Sequence, residues 1–330
     1  MLALWMSPVL TLAVYGAEGG SKTDSANVDS TGGHPVLWHD PADLATRDLF
    51  YGPGGKEHLP HGTFTFKKED LKGSNPKYDV KDADGVKWRI KLGPEARPET
   101  AATRLVWAVG YFADEDYFTD NVHVEDMPAH LHRGGNQVHN GSMNNVRLKR
   151  EEHGKKLGTW KWKDDPFSNT REFNGLRVMM ALINNWDVKD DNNAIYDEGD
   201  GQQRYVVSDL GASFGTAGAT IPLSKAKGNL KAYEHSDFIT KTTPTYVDFK
   251  EPARPSFIWI FSPENYFKRF GLMWIGKNIP RADARWMGDL LGQLSPSQIQ
   301  DAFRAAGYTP EQIDEFTAVV QKRIAALRAL

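Results

Sequence analysis

The chain contains no cysteine. Disulfides, thiolate-bound zinc, iron–sulfur clusters and cysteine nucleophiles are all excluded by that one absence. It leaves the compartment open, because a chain without thiols suits either redox environment. An excess of one charge is missing as well. Lys and Arg number 40 against 43 Asp and Glu, for a net charge of −3, so nothing electrostatic marks nucleic acid or an anionic membrane as the main partner. No apolar run is long and unbroken enough for a stable membrane span, and no internal repeat is visible.

What is present is ample for a packed fold. At 330 residues and 40% hydrophobic content, the chain can build one large domain or two lobes. Ten tryptophans point to aromatic cores or a groove. Met1 to Ala17 reads as an apolar h-region broken by Pro8, and is read as a signal peptide without the charged n-region. That predicts export to a periplasm or to the exterior, with a cytoplasmic chain the alternative. Residues 18–56 read as a linker or N-terminal extension, most plainly the Gly-, Ser-, Asp- and Asn-rich stretch from Glu18 to Gly33.

From His61 the pattern turns strand-like. Thr63 to Phe66 alternates, a turn follows at Lys72-Gly73-Ser74-Asn75-Pro76, and two more strands, 77–81 and 86–92, flank the turn Asp82-Ala83-Asp84-Gly85. Pro98 opens a helix to about Tyr111, with Ala101, Leu105 and Val109 on its apolar stripe. Strands are expected at 121–127, 144–151 and 157–163. The stretch Lys163 to Thr170 reads as a hinge, and Arg171 to Asn185 as a helix. A polar loop over 186–193 then leads to a hairpin, 194–196 with 204–208. Near the C-terminus, Ser295-Pro296 and Thr309-Pro310 each carry a helix-start signal.

Read in order, these elements frame two short motifs. The loop Trp186-Asp187-Val188-Lys189-Asp190-Asp191-Asn192 matches D-L-x-x-x-N, and Asp209-Leu210-Gly211 matches D-F-G with Leu for Phe. Lys91, in Trp88-Arg89-Ile90-Lys91, stands where V-A-I-K would place its lysine. The chain therefore resembles the protein-kinase-like superfamily from about His61 to Gly215, and within it the atypical secretory-pathway and HipA-like kinases. The resemblance implies an α+β, bilobal fold, with a β-rich N-lobe over 57–165 and a mainly helical C-lobe over 166–330. It implies ATP as nucleotide and Mg²⁺ (or Mn²⁺) as metal, with a hydroxyl acceptor on a protein, sugar or small molecule. Asp187 would be the base and Lys189 would neutralise the transferring phosphate. Asn192 and Asp209 would hold metal, Lys91 would grip phosphate, and Gly73 and Ser74 would supply backbone amides. Glu99 is favoured as the partner of Lys91, with Glu95 the rival.

The departures from the family pattern are specific. Trp186 replaces the usual arginine, Ser262-Pro263-Glu264 lies too far on to serve as A-P-E, and the glycine-rich loop is reduced to Gly73-Ser74. Alternatives to phosphotransfer are a pseudokinase or nucleotide-binding scaffold, AMP transfer on the same fold, and a secreted calcium-binding protein using the acidic stretch 187–200. Trp160 and Trp162 are expected to pack between lobes rather than to stack on a ligand.

Overall fold

The computed structural model describes residues 33–73, 75–185, 187–216, 227–250 and 271–330. The signal-peptide segment, Ser74, Trp186 and Ser262-Pro263-Glu264 lie outside the described residues.

After a short first strand, β1 (His34–Val36), the chain builds a closed five-stranded barrel. Its strands are β2 (Phe64–Asp70), β3 (Lys77–Lys81), β4 (Lys87–Lys91), β5 (Asp116–Glu125) and β6 (Ser142–Arg150), ordered β2-β3-β4-β6-β5. Side chains alternate faces along a strand, and here the alternation sorts chemistry cleanly. Tyr78, Val80, Trp88, Ile90, Val146 and Leu148 point into the barrel and form its core. The lysines, arginines and aspartate between them point out. Helix α1 (Ala96–Ala108), inserted between β4 and β5, covers part of that outer face and joins the second core through Leu105 and Val106.

The second lobe begins earlier than the sequence implied. β7 (Lys155–Gly158) pairs with β8 (Asn193–Asp197), not with the barrel, so the crossing falls at residues 151–154. The hinge expected at 163–170, and with it the boundary at 165, is corrected: that stretch is a turn ending in Thr170, the N-cap of α2 (Arg171–Leu182). Trp160 and Trp162 are not in the expected strand, yet both are buried in the larger core, their rings 5.0 Å apart.

A second sheet runs β1-β9-β8-β7, with β9 spanning Gln202–Val207. Part of the 18–56 extension is thus no linker. β1 pairs in parallel with β9, and Leu37, Leu44 and Leu49 are buried in the larger core. Their spacing matches neither helix nor strand, which hid them from a periodicity argument.

Beyond β9 come a short helix α3 (Leu230–Glu234) and a three-stranded sheet of β10 (Ile239–Thr242), β11 (Tyr246–Phe249) and β12 (Ile279–Pro280). Helices α4 (Arg281–Leu291), α5 (Pro296–Ala305) and α6 (Pro310–Arg328) complete the lobe. The capping signals hold in detail: Ser295 with Gln298 and Thr309 with Gln312 each form a full capping box, with Pro in the first turn. The fold is α+β and two-lobed, with a β-rich lobe beside a larger, mainly helical one. No helix among the described residues is long and apolar enough to cross a membrane.

Candidate active site

Lys91 ends β4 on the outward face of the barrel, under α1. Its side chain is only 5% exposed, and its Nζ is held by three carboxylates: Glu99 at 2.8 Å, Glu95 at 3.1 Å and Asp209 at 2.6 Å. The two expected candidates for its partner both serve. Glu99 comes from the first turn of α1, and Glu95 immediately precedes that helix. Burial works to lower the Lys91 ammonium, but the charges of Asp209, Glu99 and Glu95 outweigh it and raise it well above its ordinary value. Lys91 is a permanent cation at any physiological pH.

Asp209 arrives from the other lobe, just past β9. Its backbone is left-handed, φ 54°, a conformation costly for most residues but tolerated by Asp. Its carboxylate is held well below the usual range, chiefly by the Lys91 charge and against the opposing effect of burial. Its side chain keeps 44% of its surface exposed, so the group that bridges the lobes is also open to a ligand. Gly211 follows in Asp-Leu-Gly for a steric reason. A Cβ there would fall 2.6 Å from the Cβ of Glu95, closer than real side chains approach, so only glycine lets this loop dock beside the Lys91 cluster.

The loop 187–193 is tied to the same place by backbone. Ser208 N–H donates to Asn192 O at 3.1 Å, at the end of the β8–β9 ladder. Asn192 Nδ2 donates to Asp187 O at 2.6 Å, which closes the loop on itself. Lys189 Nζ lies 3.3 Å from Asp187 Oδ2. Asn192 therefore lies across from Ser208, the residue before Asp209, with Asp187 and Lys189 at the turn of the loop that Asn192 fixes. Oxygens of Glu95, Glu99 and Asp209 lie within 4.8 Å of one another because all three carboxylates converge on the Lys91 ammonium.

Gly73 sits at the β2–β3 turn with φ 74°. Its carbonyl accepts from Arg133 Nη1 at 2.5 Å, and the same guanidinium bonds Asp70 O and Lys72 O. The turn is thus pinned by an arginine from the loop between β5 and β6, which no motif announced.

Other residues of the site were missed by motif matching. Lys77 lies directly across the ladder from Lys91, and Lys91 across from Arg147. Arg147 Nη2 donates to Glu99 Oε1 at 2.9 Å and its Nη1 lies 3.2 Å from Asp116 Oδ1. Lys227 pairs with the second oxygen of Glu95. Lys149 joins Asp114 at 2.6 Å and Ser208 Oγ at 3.1 Å, one residue before Asp209. The signal that could have found them is the alternation itself. In KYDVK, KWRIK and RLK, every outward position but Asp79 is a cation.

No family model matches this chain, and no curated protein matches it. Sixteen chains of solved structures match. Among them is the crystal structure of a Helicobacter pylori proinflammatory kinase, CtkA. It shares 11% identity at a TM-score of 0.46, with 82% of this chain and 97% of that chain covered, a likeness too slight to assign a family.

Proposed function

We propose that the chain is an ATP- and Mg²⁺-dependent phosphotransferase acting on a hydroxyl group. The observation that carries this reading is the buried Lys91, held by Glu99 from α1 and by the half-exposed Asp209 from the opposite lobe. A lysine so fixed offers a point charge to the phosphate chain of a nucleotide. Asp209 and Asn192 are the residues that would hold Mg²⁺, which when bound would neutralise charge on the phosphates. Asp187 would orient the acceptor hydroxyl and take its proton as the oxygen bonds to the γ-phosphorus and the bridge to the β-phosphate breaks. Lys189, beside Asp187, would offset negative charge on the moving phosphoryl group. ADP and a phosphate ester would leave.

The test is thermal unfolding with ATP, with Mg²⁺, and with both, on the wild type and Asp209→Ala. Ligand that binds the native state raises the melting temperature by mass action. A rise that needs both components and is absent in Asp209→Ala is expected. A rise with Ca²⁺ alone, or none, would overturn the nucleotide reading.

A further inference from the structure

The connection between β2 and β3, residues 71–76, is longer than a tight two-residue turn, and Leu71, Lys72 and Gly73 are exposed. A free turn of this kind gives up backbone freedom each time it orders around a ligand. Here the turn is already held, and from one side.

Residues paired across strands share a face of the sheet. Glu69 lies opposite Tyr78, which is buried in the barrel, whereas Asp70 lies opposite Lys77 and Lys77 opposite Lys91. The turn therefore has a Tyr78 side and a Lys91 side. The loop between β5 and β6 docks on the Tyr78 side. Glu69 Oε1 accepts from the Arg133 N–H at 2.7 Å and its Oε2 from the His132 N–H at 3.0 Å. Tyr78 Oη donates to Arg133 O at 2.7 Å, and Leu131 packs against the barrel core. Gly134 permits the close approach, because a Cβ there would fall 2.7 Å from Pro76 Cβ and 2.8 Å from Tyr78 Oη.

So placed, the Arg133 guanidinium gathers the carbonyls of Asp70 at 2.6 Å, Lys72 at 3.2 Å and Gly73 at 2.5 Å. A trans peptide directs its C=O and its N–H to opposite sides. Drawing the Lys72 carbonyl to the Tyr78 side sends the Gly73 N–H to the Lys91 side, where it meets no acceptor among the described residues. Water would satisfy exposed carbonyls as well as an arginine does. What the fork of donors adds is direction. An amide turned the same way as a fixed cation suits the oxygens of a phosphate chain.

We propose that Arg133 is a positioning residue for nucleotide phosphates: anchored by Glu69, it fixes the β2–β3 turn with the Gly73 amide facing the Lys91 side before a ligand arrives. This rests on the nucleotide reading above and adds to it a residue outside every matched motif, acting from the far side of the turn.

Titration calorimetry on the full chain with Mg²⁺, using a non-hydrolysable ATP analogue and, separately, adenosine, tests it. Arg133→Gln should weaken the analogue ~10-fold and leave adenosine binding unchanged, because adenosine has no phosphate for the turn to meet. Glu69→Ala, which keeps the arginine and removes its anchor, should weaken the analogue in the same selective way. Arg133→Lys should recover only part of the loss, since an ammonium is a point charge and not a planar fork. Wild-type affinity for the analogue in both Arg133→Gln and Glu69→Ala would overturn the proposal and leave the nucleotide reading standing. So would an equal loss for adenosine, which marks a general disturbance, or full recovery in Arg133→Lys, which marks charge alone. A wild type that binds neither probe would remove the nucleotide reading and this inference with it.

Discussion

Lys91 has more carboxylates around it than an isolated ion pair would need, and that surplus shapes what its removal does. Lys91→Met leaves Glu95, Glu99 and Asp209 facing one another with one fewer cation. Breaking a buried pair from one side costs about 3–5 kcal/mol, so the variant should lose both phosphotransfer and stability. Adding Glu99→Gln to it should recover part of the stability and none of the activity, read by denaturant midpoint and turnover. No recovery would mean that Lys91 contributes packing rather than charge. Asp187→Ala is expected to behave differently, because Asp187 lies outside the Lys91 cluster. It should keep Mg-ATP binding and lose turnover by a factor of about 10²–10⁴. Full turnover in that variant would remove Asp187 from the role of base.

At the scale of elements, the two capping boxes look equivalent in sequence and are not equivalent in the fold. Gln298 closes its box and also donates from Nε2 to Leu44 O at 2.9 Å and Arg47 O at 3.0 Å, tying α5 to the N-terminal extension. Gln312 closes its box on α6 and does no more among the described contacts. Gln312→Ala should cost about 0.5–1 kcal/mol, while Gln298→Ala orphans two buried carbonyls and should cost about 1–3 kcal/mol more. Equal denaturation midpoints for the two variants, at unchanged m-value, would contradict the tie. The elements themselves were largely legible. Strand alternation placed β2 to β4, the periodicity of Leu176, Met179, Met180 and Ile183 placed α2, and Ser-Pro and Thr-Pro placed α5 and α6. The expected strand over 157–163 failed because two tryptophans at alternate positions mimic a strand pattern while filling a core at a turn. The hinge was misplaced for a related reason: Asp, Pro, Ser and Asn mark any turn, and one that caps a helix looks like one that joins lobes.

At the scale of the whole molecule, buried charge should set the pH profile. Burial, with Glu99 and Asp114 adding to it against Arg147, pushes Asp116 up to about 7. In the unfolded chain an aspartate ionises near 3.9. Between these values the native state binds more protons than the unfolded state, so this group makes stability fall as pH rises from about 4 to about 7. Asp209 acts with the opposite sign, since its depressed native value gives stability that is present above about pH 4 and lost below it. Asp116→Asn should therefore gain on the wild type as pH rises from 5 to 8, by on the order of 1–4 kcal/mol. Melting curves at the two pH values check this, and a constant gap would show that Asp116 ionises normally in the fold.

The sequence by itself determined the α+β character, the order of the elements and four residues, Lys91, Glu99, Asn192 and Asp209, that the fold gathers around one lobe junction. The elements were legible from alternation, helix starts and turns, whereas the four residues were singled out by the resemblance of their motifs to the kinase-like pattern. Tertiary structure alone decided that Glu95 shares Lys91 with Glu99, that Arg133 pins the Gly73 turn and that Leu37, Leu44 and Leu49 belong to the core. Those facts depend on which strands pair and in what register, and pairing is settled by contacts between residues far apart in the chain, which local periodicity does not encode.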